Sequence, residues 1–223
     1  GGRFRRVELP AAVSVDDAIA LLERQRGVVA AVPNFVLELD ALPDDPGFAS
    51  LWGLHNTGQT VNGAAGTPDV DVDAPEAWAI EPGDQGVVVA VLDSGVSLGH
   101  PDLASRIWTN TAEANGTPGI DDDANGFIDD VHGWDFVQGA GDADPRDYNG
   151  HGTHVAGTIG ARPDDGVGIA GVARQVTIMP VRAFDGGGQA TFDELVEAMC
   201  VGVIECVGVT RDQPGMRVRR SWG

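Results

Sequence analysis

Apolar and polar positions along this chain fall into short blocks that switch between two periodicities. Residues 4–9 read as a strand. Ser14, with Asp17 three residues later, has the form of a helix N-cap. Ala18, Leu21 and Leu22 then supply one apolar face, and Gly27 closes the predicted helix. Residues 28–39 read as a second strand, with Pro33 pointing to an edge or a bulge. The order strand, helix, strand makes residues 1–40 a small α+β unit, and a linker rich in Pro and Asp follows at 41–46. In the second unit, 41–223, residues 74–80 predict a short helix. An unbroken apolar run at 87–92 ends on Asp93 and predicts a strand buried on both faces. A long acidic, Gly-rich loop occupies 108–150. A small-residue helix is expected at 152–160, a second buried strand at 176–181, a helix from 191 to about 207, and a further strand from 216. This alternation predicts an α/β fold around a mostly parallel sheet.

Composition narrows the partners. The formal net charge is −20, from 34 acidic against 14 basic residues, and every basic residue is Arg. Such a surface repels nucleic acid and anionic membranes, so neither is expected as a partner. No stretch approaches the ~18 apolar residues of a membrane span. Cys200 and Cys206 are expected on one helix, roughly 9 Å apart, too far for a disulfide. The chain opens Gly1-Gly2-Arg3 without an initiator Met, and both of its ends read as cut.

Two segments carry chemistry. In the run Val88-Val89-Ala90-Val91-Leu92-Asp93-Ser94-Gly95, an Asp stands at the carboxyl end of a predicted parallel strand, where α/β enzymes place their sites. In Asn149-Gly150-His151-Gly152-Thr153-His154-Val155-Ala156-Gly157-Thr158, a His opens a helix of Gly, Ala and Thr that can pack very close to neighbouring backbone. An isolated Asp there caps a turn about as often as it catalyses, and an isolated His is more often structural, but the second string is too specific for that default.

Together these segments resemble subtilisin-like serine peptidases, whose hallmarks are an Asp motif of the V-x-D-[ST]-G type and the His motif H-G-T-H-V-A-G-T. The segments around Asp45, Trp52 and Trp78 resemble the start of the mature enzyme, and residues 4–38 resemble the end of an inhibitor-type propeptide. The resemblance implies a subtilisin-like three-layer fold, incomplete here. It implies a serine endopeptidase acting on protein or peptide substrates, made as a zymogen with its own propeptide as partner, and secreted. His151 would be the general base and Asp93 would orient it; His154 reads as structural. Gly186, Gly187 and Gly188 resemble the segment that pairs with the substrate backbone, and Ser221, Trp222 and Gly223 the edge lining the pocket before the scissile bond. The family's oxyanion Asn and its G-T-S-M-A nucleophile segment do not occur in residues 1–223. Arg219 and Arg220 stand where the family has an apolar residue and Asn. A second reading is therefore an inactive, calcium-binding protease-like remnant.

Calcium is the expected cofactor. Asp121, Asp123, Asn125 and Asp129 place oxygen donors at positions 1, 3, 5 and 9 of an EF-hand-like loop, with Gly126 at the sharp turn and the Phe127 carbonyl at position 7. Position 12 is His132, so the loop is EF-like rather than an EF-hand. Asp102 and Asp45 resemble calcium ligands of the family, with the loop at 164–169 as a third contributor. Asp142, Asp144 and Asp147 form either another weak site or a charged loop.

Overall fold

Local signals set the helix of the leading unit. In the computed structural model, α1 (Val15–Glu23) begins where Ser14 Oγ accepts the Asp17 N–H at 3.1 Å, with Asp16 and Asp17 in the first turn facing the positive end of the helix dipole. The structure describes residues 7–10, 13–32, 42–137 and 141–200, with the backbone of 205–209 and 217–221. The chain divides into two units, Gly1–Leu39 and Asp40–Gly223. In the first, residues 7–10 and 28–32 form no strand. Val29 is fully exposed, so no apolar face is being buried there. The remainder of the two expected strands lies outside the described residues.

The second unit opens with a 3₁₀ turn at Phe48–Ser50, a small hairpin of β1 (Thr60–Val61) and β2 (Ala64–Ala65), and α2 (Ala74–Trp78), with Pro75 in its first turn. Phe48, Ala74, Trp78 and Ala170 form one buried cluster, and the Trp78 indole N–H donates to the Val172 carbonyl at 2.8 Å.

The sheet is built from β3 (Gly83–Asp93), β4 (Trp134–Asp135) and β5 (Gln175–Arg182), in the order β3-β5-β4, all parallel. The short α3 (Thr111–Ala114) lies in the acidic insertion between β3 and β4. Alternation along β5 sends Val176 and Ile178 to one face, where they meet Val91 and Ala156 of α4 (His151–Gly160). Val181 and Ala183 belong to a second cluster with Trp134, Phe136 and Ala198 of α5 (Phe192–Met199). Helix, sheet and helix thus make three layers of an α/β fold. In α5, Thr191 and Glu194 form a reciprocal capping box.

Three expectations change. The first half of β3 is not buried on both faces: Val87 and Val88 are 54% and 44% exposed, and among the described residues β3 is paired along one edge, with β5. The helix expected to reach about 207 stops at Met199. The chain then forms β6 (Glu205–Val209), antiparallel to β7 (Arg217–Ser221) in a separate two-stranded sheet. A strand carrying Arg217, Arg219 and Arg220 is costly to enclose on both faces, which disfavours adding it to the parallel sheet. Finally, Cys200 is disulfide-bonded. The separation that argued against a cross-link assumed a continuous helix, and Cys206 lies in a strand instead.

Candidate active site

The carboxyl end of β3 and the start of α4 meet through two glycines. Gly95, at φ +102°, turns the chain sharply after Asp93, and a Cβ there would lie 2.5 Å from the Arg146 carbonyl oxygen. Gly152 lets the first turn of α4 approach: its Cβ would lie 2.1 Å from the Gly95 carbonyl oxygen and 3.0 Å from Asp93 Cβ. This contact brings His151 onto Asp93. His151 Nδ1 lies 2.7 Å from Asp93 Oδ1 and 2.9 Å from Oδ2. A carboxylate only accepts, so the ring proton belongs on Nδ1 and leaves the Nε2 lone pair free to take a proton. Asp93 Oδ1 also accepts the Ser94 N–H at 2.7 Å. The His151 side chain is 67% exposed, that of Asp93 15%. The arrangement is a partly buried carboxylate orienting an accessible imidazole.

The N-cap of α4 is Gly150, which has no side chain to cap with. Other groups satisfy the first amides. Asn149 Oδ1 accepts from His151 N–H, Ser94 Oγ from Gly152 N–H, and Asp147 Oδ2 from Thr153 N–H. Burial acts to raise the Asp147 pKa. The Thr153 hydroxyl and the backbone N–H groups of Gly150, Asn149 and Thr153 outweigh it and hold the carboxyl at about 2. Asp147, expected with Asp142 and Asp144 in either a weak metal site or a charged loop, instead caps α4, a role signalled by its Asp-x-Asn-Gly-His spacing. Arg182, next to Asp93 in the β3–β5 register, pairs with buried Asp135 and lies 4.6 Å over the Tyr148 ring, which supports the loop before His151.

Beyond β5, Asp185 Oδ1 accepts the N–H groups of Gly187 and Gln189, folding Gly186, Gly187 and Gly188 into an exposed turn. Asn149 Nδ2 donates to the Gly186 carbonyl at 3.1 Å, tying this turn to the His151 loop. Ser221 belongs to the separate β6–β7 hairpin, and Trp222 and Gly223 lie outside the described residues.

The acidic residues gather in three places. Asp45 and Asp102, 4% and 3% exposed, converge with Asp165, so that one oxygen from each lies within 4.8 Å of the others. Asp45 Oδ1 and Asp102 Oδ1 are buried and meet no donor among the described residues. Burial, opposed by the Ile169 N–H and reinforced by the charges of Asp165 and Asp45, raises the Asp102 pKa. Asp44, Asp45 and Asp164 form an adjoining group. In the insertion, Asp121 and Asp123 converge with Glu113 of α3, a buried residue that the loop spacing did not bring in. Glu113 accepts the N–H groups of Asp122, Asp123 and Asp129. Asp129 turns its carboxylate to the Gly119 N–H, Asn125 Oδ1 accepts from Phe127 N–H, and the Phe127 ring packs on Trp134. Asp121 and Asp123 are thus brought together, whereas Asp129 is turned aside.

Residues 84–204 match the subtilase family. The chain is 35% identical over 187 residues to a thermophilic serine proteinase of a Bacillus species, covering 83% of this chain and 37% of that protein. Over 97 residues it is 45% identical to subtilisin-like protease 1 of Plasmodium vivax, covering 44% of this chain and 15% of that protein. It spans well under half the length of these relatives. Among solved structures, a protease from Pseudoalteromonas arctica aligns with a TM-score of 0.52 at 25% identity, over 78% of this chain and 47% of that one. With the Asp93–His151 pair at the end of a parallel strand and the family match covering more than half of the residues, this chain belongs to the subtilase family.

Proposed function

We propose that this chain supplies the Asp and His of a serine endopeptidase that hydrolyses protein or peptide substrates. The observation that carries the reading is the 2.7 Å contact between His151 Nδ1 and Asp93 Oδ1, with the other ring nitrogen free for proton transfer. His151 takes the proton of a serine hydroxyl as it attacks the scissile carbonyl, then delivers it to the leaving amine. Asp93 fixes the tautomer and stabilises the imidazolium. The exposed turn at Gly186, Gly187 and Gly188 accepts the substrate backbone as an added strand. The serine is not one of those nearest the pair: the Ser94 hydroxyl donates to Asp147 and accepts from Gly152. The resemblance assigns the nucleophile to a G-T-S-M-A segment, which residues 1–223 do not contain. Labelling of the full-length protein by a fluorophosphonate, abolished in His151→Ala, tests this; an unlabelled, folded full-length protein favours the inactive remnant instead.

The buried, orphaned oxygens of Asp45 and Asp102 fit a hard cation with oxygen ligands, and calcium is the ion this donor set takes. Asp45, Asp102 and Asp165 would hold it and it would supply stability rather than chemistry. Asp121, Asp123 and Glu113 are the donors of a second, insertion site. The unit Gly1–Leu39 is read as a propeptide, and the protein as secreted.

A further inference from the structure

The two segments that bear Asp93 and His151 are joined by a single carboxylate. Asp147 accepts five hydrogen bonds: from Ser94 Oγ, Asn149 N and Gly150 N on Oδ1, and from Thr153 N and Thr153 Oγ1 on Oδ2. Both hydroxyls pass the connection on. Ser94 Oγ, next to Asp93, accepts the N–H of Gly152, next to His151, at 3.0 Å. Thr153 Oγ1 accepts the Ser97 N–H from the turn after β3, also at 3.0 Å. The bonds to Asn149 and Gly150 fold the loop so that Asn149 Oδ1 reaches the His151 N–H while its amide holds the Gly186 carbonyl. Five acceptor contacts use the lone pairs of one ionised carboxylate, and a neutral amide can replace only part of them.

We propose that Asp147 is a positioning residue of the hydrolytic site, the group that sets the register between Asp93, His151 and the substrate turn at Gly186. This rests on the reading of Asp93 and His151 as a proton-transfer pair. The role is distinct from capping alone. A cap stabilises α4 wherever the helix lies, whereas the Ser94 and Ser97 arms fix α4 against the end of β3. A shift of about 1 Å between groups that exchange a proton costs about 100-fold in rate. Substrate binding is affected less, because the turn at Gly186 is also held by its own Asp185.

Asp147→Asn keeps the shape of the side chain, but its amide nitrogen cannot accept from Thr153. In the full-length protein the expected result is a kcat lower by about 100-fold with KM within about twofold. The Nδ1 proton signal of His151 in ¹⁵N-histidine NMR moves upfield as its bond to Asp93 lengthens. Thr153→Val removes the hydroxyl that links Asp147 to Ser97 and leaves the charge and the other four bonds of Asp147 in place; it gives a smaller kcat loss and an NMR shift in the same direction, and it decides the matter if Asp147→Asn does not fold. A folded Asp147→Asn or Thr153→Val protein with unchanged kcat and an unchanged His151 signal overturns the proposal, as does a change confined to KM. If the unsubstituted protein does not hydrolyse peptides, the endopeptidase reading fails, and the NMR comparison alone then decides whether Asp147 positions His151.

Discussion

A methyl group at Gly152 tests how closely α4 is pressed on the end of β3. In Gly152→Ala the new Cβ would stand 2.1 Å from the Gly95 carbonyl oxygen. An ordinary carbon–oxygen contact needs about 3.3 Å, so the helix start has to retreat by about 1 Å. The obstructing atom is backbone and cannot rotate aside, which puts the cost near the upper end of overpacking, about 3 kcal/mol. Helix propensity returns about 1 kcal/mol, leaving a net loss of about 2 kcal/mol. For a protein of this size that is a fall in Tm of about 4–8 °C. The same displacement carries His151 from Asp93 and lowers kcat/KM by about 100-fold. Gly157, on the same helix, is the internal control: its Cβ would meet nothing nearer than Ile169 Cδ1 at 4.0 Å. Gly157→Ala is therefore expected to be neutral or to gain up to about 1 kcal/mol. Differential scanning calorimetry and peptide hydrolysis on both variants separate the two effects. Equal Tm and equal activity for the two would show that the helix does not depend on contact at Gly152.

Calcium at about 100 times its Kd should raise stability by about 2.7 kcal/mol, and Asp102→Asn should remove most of that increment without lowering activity per folded molecule; melting curves with and without chelator read this out. Asp135→Asn strands the enclosed Arg182 guanidinium, with a predicted loss of about 3–5 kcal/mol in urea unfolding, most of it recovered in an Asp135→Leu, Arg182→Met pair. Asp147, held at about 2 against the ordinary 3.8, contributes stability that is fully present above about pH 4 and lost as the pH falls through about 2. Its nominal 2 kcal/mol is discounted to about 1 kcal/mol for solvent access, and acid titration of the Asp147→Asn protein should show that much less dependence on pH over this window.

What could be read from the sequence follows the range of the interaction involved. The β3 and β5 strands, the α4 helix and the Ser14 cap are set by neighbours within a few residues, and their patterns are visible along the chain. The exposed half of β3 was not legible, because burial depends on which elements cover it, and among the described residues β5 alone pairs with it. The end of α5 was missed for a related reason. The sequence through about 207 is apolar enough to continue a helix, and it is the antiparallel pairing of β6 with β7 that holds residues 205–209 as a strand. Glu113 lies eight residues before the acidic loop it enters, in a short helix whose own pattern gives no sign of metal chemistry.

The carboxylates make the same point about chemistry. Asp45, Asp102 and Asp147 are alike in sequence: each stands in an Asp-rich or turn-rich segment, and each could be assigned to a cation. What separates them is how their oxygens are satisfied. Asp147 is surrounded by N–H and O–H donors, which stabilise the anion so well that its pKa falls to about 2, and a cation there would have to displace them. Asp45 and Asp102 each keep one buried oxygen without a donor, and Asp102 is pushed the other way by burial and by its acidic neighbours. An anion stabilised by donors on both oxygens is a structural tie; anions enclosed together with one oxygen of each left without a donor are a site in need of positive charge. On this criterion the acidic residues separate into the proposed tie at Asp147, at the start of α4, and the proposed cation site at residues 45, 102 and 165, beyond its other end. The two lie in segments flanking the same helix, so loss of the cation should weaken the fold around α4 while leaving the geometry of the Asp93–His151 pair to Asp147.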